Sequence, residues 1–156
     1  MPISVGDPCP NFTLPDDRGE TVSLADLKGK PFILYFYPKD DTSGCTREAV
    51  DFSSLSEDFT ALSAQVLGVS PDPVKAHQKF RDKHDLSVRL LSDEDKTLLE
   101  AFGVWLEKSM YGRKYMGVER TTALIDASGK IARLWPKVKV PGHAAEVLEA
   151  TKQLSA

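Results

Sequence analysis

This chain carries two cysteines, Cys9 and Cys45, and their settings differ. Cys45 closes the stretch Pro38-Lys39-Asp40-Asp41-Thr42-Ser43-Gly44-Cys45, which leads out of an apolar segment and into a helical pattern. Helix N-termini present unbonded N–H groups and partial positive charge. Thr42 or Ser43 suits the N-cap, so Cys45 falls in the first turn. That setting favours the thiolate, which is the form that reacts with oxidants. Cys45, Ala49, Phe52, Leu55 and Phe59 share one helical stripe. The sulfur is therefore expected at the top of the buried face, in a shallow pocket. The competing reading is a small buried hydrophobe, the usual fate of a lone cysteine. The strand-to-helix turn, the Thr42 hydroxyl and the flanking Pro38 weigh against it.

Other chemistries find less support. There is no CxxC pair, and two cysteines in 156 residues make no disulfide framework. His77, His84 and His143 are scattered without metal-ligand spacing, so neither a metal nor another cofactor is expected. A net charge of −3 with no dominant basic patch argues against nucleic acid. No run approaches the roughly 20 apolar residues that span a bilayer. Met1-Pro2-Ile3-Ser4-Val5-Gly6-Asp7 lacks a basic start and an apolar core, so a cytoplasmic protein is expected.

The elements that must hold Cys45 follow from periodicity. Phe12–Leu14 and Thr21–Leu24 flank a Pro-Asp-Asp-Arg-Gly turn and predict an N-terminal hairpin. Pro31–Tyr37 is continuously apolar, as suits a central strand covered on both faces. Ser43–Leu62 has the helical repeat. Gln65–Val69 predicts a second buried strand, Val74–His84 a helix, Val88–Leu91 a short strand, and Asp95–Phe102 a helix closed by Gly103. Met110–Val118, with two glycines, reads as a loop. Thr121–Asp126 and Lys130–Trp135 form a hairpin across Ala127-Ser128-Gly129. Lys137-Val138-Lys139 alternates like a strand edge. Gly142–Leu154 is a final helix with Ala145, Val147, Leu148 and Leu154 inward. At 156 residues with 41% hydrophobic content, residues 1–156 make one α/β domain. The order matches a thioredoxin-like three-layer sandwich with a mixed central β-sheet and an N-terminal β-hairpin.

The segment Pro38-x-x-x-Thr42-x-x-Cys45 resembles the peroxiredoxin active-site motif. The wider text from Tyr35-Phe36-Tyr37-Pro38 through Gly44-Cys45-Thr46 resembles the bacterioferritin-comigratory-protein subfamily, also called PrxQ. The likeness extends to Val5-Gly6-Asp7, Val69-Ser70-Pro71-Asp72, Tyr111 through Thr122, and Trp135 through Ala144. The resemblance implies a thiol peroxidase that reduces hydrogen peroxide and organic hydroperoxides. Cys45 is then the attacking thiolate and becomes a sulfenic acid. Thr42 hydrogen-bonds thiolate and peroxide, Pro38 shields the sulfur from water, and Arg120 stabilises the charge on both. Glu48, one turn after the cysteine, holds Arg120, and the N–H groups of Gly44 and Cys45 complete the substrate pocket. The subfamily likeness also implies a monomer.

Two departures bear on the cycle. Relatives place a resolving cysteine five residues after the attacking one, here Val50, or in the following helix, here Arg81. A one-cysteine cycle is therefore expected, with thioredoxin, glutaredoxin or a low-molecular-weight thiol as reductant. Cys9 is the sole other thiol and would have to travel far to take part. The rivals are a disulfide reductase, which lacks its second cysteine, and a peroxide sensor or holdase that uses Cys45 without turnover. A cysteine hydrolase is a third, with His77 on a different helix and no evident acidic partner.

Overall fold

Phe32-Ile33-Leu34-Tyr35-Phe36 carries no charge and buries every side chain, the mark of a strand covered on both faces. In the computed structural model, which describes residues 3–155, this segment is β3. It lies at the centre of a five-stranded sheet. The start of the N-terminal lead, Met1 and Pro2, lies outside the described residues. On one side of β3 run β4 (Gln65–Ser70) and β5 (Arg89–Ser92), both parallel. On the other run β8 (Thr121–Ile125) and β9 (Ile131–Trp135), both antiparallel to their neighbours. The sheet is mixed, and β1 (Thr13–Pro15) with β2 (Thr21–Ser23) forms the expected N-terminal hairpin.

Alternation along β3 divides the core in two. Phe32, Leu34 and Phe36 face the hairpin, the short helix α1 (Leu24–Leu27) and α5 (Thr97–Ala101). Ile33, Tyr35 and Tyr37 face α2 (Ser43–Ser54), α3 (Ser56–Ala61), α4 (Val74–His84) and α6 (His143–Ser155). Full burial of each such large side chain contributes about 1.5–3 kcal/mol of transfer free energy. The architecture is the expected three-layer thioredoxin-like sandwich.

Several local expectations need correction. The helix expected over Ser43–Leu62 breaks at Leu55, whose φ of −102° and ψ of 8° end α2. Two serines explain the break. Ser54 Oγ donates to Asp51 O, and Ser53 Oγ accepts from the N–H groups of Ser87 and Val88, and such bonds compete with the helix ladder. Residues 110–118 are no loop. β6 (Trp105–Met110) and β7 (Arg113–Val118) pair antiparallel through a two-residue turn at Tyr111-Gly112. Both turn residues have positive φ, 52° and 77°, which matches the right-handed twist of the strands. Lys137-Val138-Lys139 lies outside every strand. On α6 the inward residues are Ala144, Val147, Leu148 and Ala150, whereas Ala145 and Leu154 face solvent.

Candidate active site

The sheet ladder runs one residue past β3, where Tyr37 N–H donates to Val69 O. Pro38 has no N–H and ends it. The chain then turns through Lys39–Thr42 and enters α2. Thr42 is the N-cap by backbone geometry, but its hydroxyl does not cap the helix. It donates to Lys39 O at 2.9 Å instead, which leaves its oxygen free to accept. Gly44 and Cys45 lie in the first turn, where N–H groups have no partner within the helix. Cys45 is 1% exposed, and Ala49 and Phe52 continue its buried stripe. The sulfur is thus below the surface. Of its chain neighbours, Thr42 is exposed and Pro38 and Gly44 are half-buried.

Arg120 is 75 residues from Cys45 in sequence, and topology brings it close. It immediately precedes β8, whose first residue Thr121 pairs with Phe36 at the end of β3. Antiparallel pairing therefore delivers Arg120 to the end of the sheet where the Cys45 loop begins. Its Nη2 donates to Cys45 Sγ at 3.3 Å and its Nη1 to Glu48 Oε1 at 2.6 Å. Val138 N–H holds the Arg120 carbonyl. Gly44 is needed for close approach, since a Cβ there would lie 3.3 Å from Arg120 Nη2. Burial works against the guanidinium charge, but Glu48 and Cys45 outweigh it and hold the Arg120 pKa above its ordinary value. Glu48 is itself buried, and desolvation pushes its carboxyl up to about 7 against the pull of Arg120. Its Oε2 has no hydrogen-bond partner.

A network of polar residues behind the loop went unread in the sequence. His77, fully buried, meets Asp40 Oδ2 through Nδ1 at 2.6 Å and Leu91 O through Nε2 at 2.9 Å. Asp72 accepts from Asp40 N–H and Ser70 Oγ. His84 and Lys83 meet Asp41. His77 and His84 stand seven apart on α4, two turns on one face, and Asp40-Asp41 are adjacent. That pairing of spacings was the available signal. His77 thus has the acidic partner thought missing, yet both its nitrogens are bonded away from Cys45, which removes it as a hydrolase base. Asp40, Asp72 and His77 lie close enough to hold a cation. Both imidazole nitrogens already face protein oxygens, Asp40 Oδ2 and Leu91 O.

Cys9 is buried in the other half of the core, with Phe32, Leu34 and Phe36. Its N–H donates to Gly129 O. Neighbouring β9 begins at Ile131, opposite Ile125, which in turn pairs with the first residue of β3. Cys9 therefore sits at the opposite end and opposite face of the sheet from Cys45. Burial pushes its thiol up to about 12.

A buried thiol at a strand-to-helix turn, with a guanidinium donating to its sulfur, on a thioredoxin-like sheet, defines a thiol-based peroxidase. The chain belongs to the AhpC/TSA family, whose model matches residues 5–134. It is 50% identical to peroxiredoxin Bcp of Bacillus subtilis over 155 residues, covering 99% of each chain. It also superimposes on the bacterioferritin comigratory protein of Xanthomonas campestris with a TM-score of 0.89. There identity is 41%, with 93% of this chain and 92% of that chain covered, and the Xanthomonas structure concerns alkyl peroxide reduction. A Cys→Ser variant of Xylella fastidiosa PrxQ gives a TM-score of 0.95 at 39% identity, covering 100% and 99%. The protein is a peroxiredoxin, an oxidoreductase that acts on peroxide. Among the described residues no helix is long and apolar enough to cross a membrane.

Proposed function

We propose that residues 1–156 act as one unit that reduces hydrogen peroxide and organic hydroperoxides by a one-cysteine cycle at Cys45. The observation that carries this reading is the Arg120 bridge, with one nitrogen on Cys45 Sγ and the other on Glu48. The Cys45 thiolate attacks the terminal peroxide oxygen. An S–O bond forms, the O–O bond breaks, sulfur is oxidised to sulfenic acid, and the departing alkoxide takes a proton to leave as alcohol or water. Arg120 stabilises the thiolate and then the charge spreading over both oxygens. Thr42, its own proton given to Lys39 O, accepts from the incoming hydroperoxide. The N–H groups of Gly44 and Cys45 receive the substrate oxygens. Pro38 keeps water from the sulfur, and Glu48 fixes Arg120.

Regeneration needs two external thiols. The first condenses with the sulfenic acid, releases water and leaves a mixed disulfide. The second attacks that disulfide and frees Cys45. Thioredoxin, glutaredoxin and small thiols all supply this chemistry, and the subfamily likeness favours a cytoplasmic monomer. The separation of Cys9 from Cys45 by the sheet supports the absence of an internal partner. So does the occupant of each alternative site. Val50 is exposed on α2, and Arg81 bonds the buried Asp17 carboxylate at 3.2 Å and its carbonyl.

The test is steady-state peroxide consumption with each reductant, with non-reducing mass mapping after one equivalent of peroxide. Cys45→Ser is expected to abolish turnover and Cys9→Ser to retain it. Full consumption by Cys45→Ser would sink the reading, and a Cys9–Cys45 bridge would replace the one-cysteine cycle by an internal one.

A further inference from the structure

The loop that delivers Cys45 is fastened to α4 at two successive residues. Asp41 takes Lys83 Nζ at 2.7 Å and His84 Nε2 at 2.8 Å, but this contact is exposed and screened. The Asp40 contact is different in kind. His77 is wholly buried, and each ring nitrogen points at an oxygen that only accepts, the Leu91 carbonyl at 2.9 Å and the Asp40 carboxylate at 2.6 Å. Both acceptors are served together only when the ring carries two protons, the imidazolium form, whereas a neutral ring serves one of them. Asp40 is held from three more directions. Its Oδ1 accepts from Tyr37 OH at 2.6 Å, its N–H donates to Asp72 Oδ2 at 2.8 Å, and the chain enters it from Pro38 and Lys39.

We propose that His77 is a positioning residue for peroxide reduction: as a buried imidazolium it fixes Asp40, and through Asp40 the loop 38–42 that carries Pro38 and Thr42 into the first turn of α2. The inference rests on Cys45 being the peroxide nucleophile and adds a remote ion pair on which its rate depends. The loop's other side-chain bonds include exposed ones, Thr42 Oγ1 to Lys39 O and Asp41 to Lys83 and His84, and Asp41 adopts a φ of 60°. A charge-assisted bond inside a dry core is stronger and more directional than one at the surface.

The arrangement has a pH sign. The titratable groups facing His77 are Asp40 from the loop, Tyr37 from the end of β3, its ring 6.4 Å away, and Asp72 from the β4–α4 connection; β5 offers the Leu91 carbonyl. Burial lowers the His77 pKa, but the bond to Asp40, the Asp40 charge, the Leu91 carbonyl and the Asp72 charge outweigh it and raise it from its ordinary value. The doubly bonded, charged ring is therefore complete below pH about 6.5, and one of its two protons is lost as pH rises through the raised value. The remaining proton stays on Nδ1 against the carboxylate, the Leu91 bond is given up, and the contact to Asp40 loses its imidazolium charge and weakens.

The experiment uses the full chain and the second-order rate constant for Cys45 oxidation by hydrogen peroxide in a single turnover, across the neutral and alkaline range. The ratio of variant to wild type at each pH removes what the two share. His77→Asn places an amide donor where Nδ1 stands and keeps the bond to Asp40. His77→Gln reaches Leu91 O and loses Asp40. His77→Gln should be slower by about tenfold near neutrality, with the deficit narrowing but persisting at alkaline pH, and His77→Asn should restore most of the loss. Asp40→Asn, which keeps the shape of the side chain, should match His77→Gln and supplies the comparison should that variant not fold. Wild-type rate constants in folded His77→Gln and Asp40→Asn would overturn the proposal. So would equal losses in both His77 variants with no narrowing at alkaline pH, which would mark a merely structural role. NMR titration of the His77 ring separates this inference from the reading beneath it. An unreactive wild-type Cys45 strikes the peroxidase cycle, whereas a singly protonated ring at neutral pH strikes the ion pair alone.

Discussion

Arg120 gives its two terminal nitrogens to different partners, Cys45 Sγ and Glu48 Oε1, and a lysine cannot reproduce that fork. Arg120→Lys should lower the rate constant with peroxide about a hundredfold, the scale of losing one aimed donor; stopped-flow measurement of Cys45 oxidation checks it. Glu48→Gln keeps an oxygen for Arg120 and should cost far less than Glu48→Ala in the same assay. The carboxyl also leaves a mark on stability. Its folded pKa of about 7 exceeds the ordinary 4.5, so the folded state holds the proton longer, and this group's contribution falls as pH rises from 4.5 to 7. Glu48→Gln should therefore gain stability relative to wild type at pH 7 and above, read by denaturant midpoints. Cys45 and its first turn were legible from local pattern alone. Arg120 was not, because a lone arginine before a strand is ordinarily a solvated charge. Only the family resemblance singled it out.

At the scale of elements, β3 and α2 position the site through packing that one glycine permits. Gly68 on β4 pairs with Tyr35 on β3. A Cβ there would sit 2.6 Å from Tyr35 Cζ and 2.7 Å from its hydroxyl. Tyr35 is fully buried and stacks on Phe52 of α2 at 4.8 Å, so it has nowhere to retreat. Gly68→Ala should cost about 1–3 kcal/mol by thermal or denaturant unfolding. The β3 strand and the start of α2 were readable because burial on both sides and on one stripe leaves clear periodicities. The β6–β7 ribbon was not. Met110, Tyr111, Tyr115 and Met116 are all exposed on it, so no inward–outward alternation exists to be seen. The end of α2 was hidden too, since Ser53 breaks the helix through bonds to Ser87 and Val88, far away in sequence.

Across the whole molecule, the pH response is set by buried histidines of opposite habit. The surroundings of His77 raise its pKa, while burial pushes His143 down to about 4. His143 lies against Phe52 and Trp135 and bonds Thr122 Oγ1 at 2.8 Å. Its neutral form is favoured in the fold, so its contribution is present above pH 6.5 and lost as pH falls from 6.5 toward 4. Thermal midpoints should decline over that window, and His143→Gln should flatten the decline. Three scattered histidines were legible in the sequence, but not which would be charged, because that depends on neighbours from other elements.

The central sheet, finally, has a kinetic consequence. It stands between the two thiols of the chain, so under the proposed one-cysteine cycle an oxidised Cys45 waits for a collision. The lifetime of that state then varies inversely with the concentration of reducing thiol around it. In a thiol-rich medium the protein rests reduced and peroxide supply limits the flux. In a thiol-poor one it accumulates oxidised, open to a second peroxide and the irreversible acids beyond. The occupancy of one sulfur would thereby report the reducing power of its surroundings.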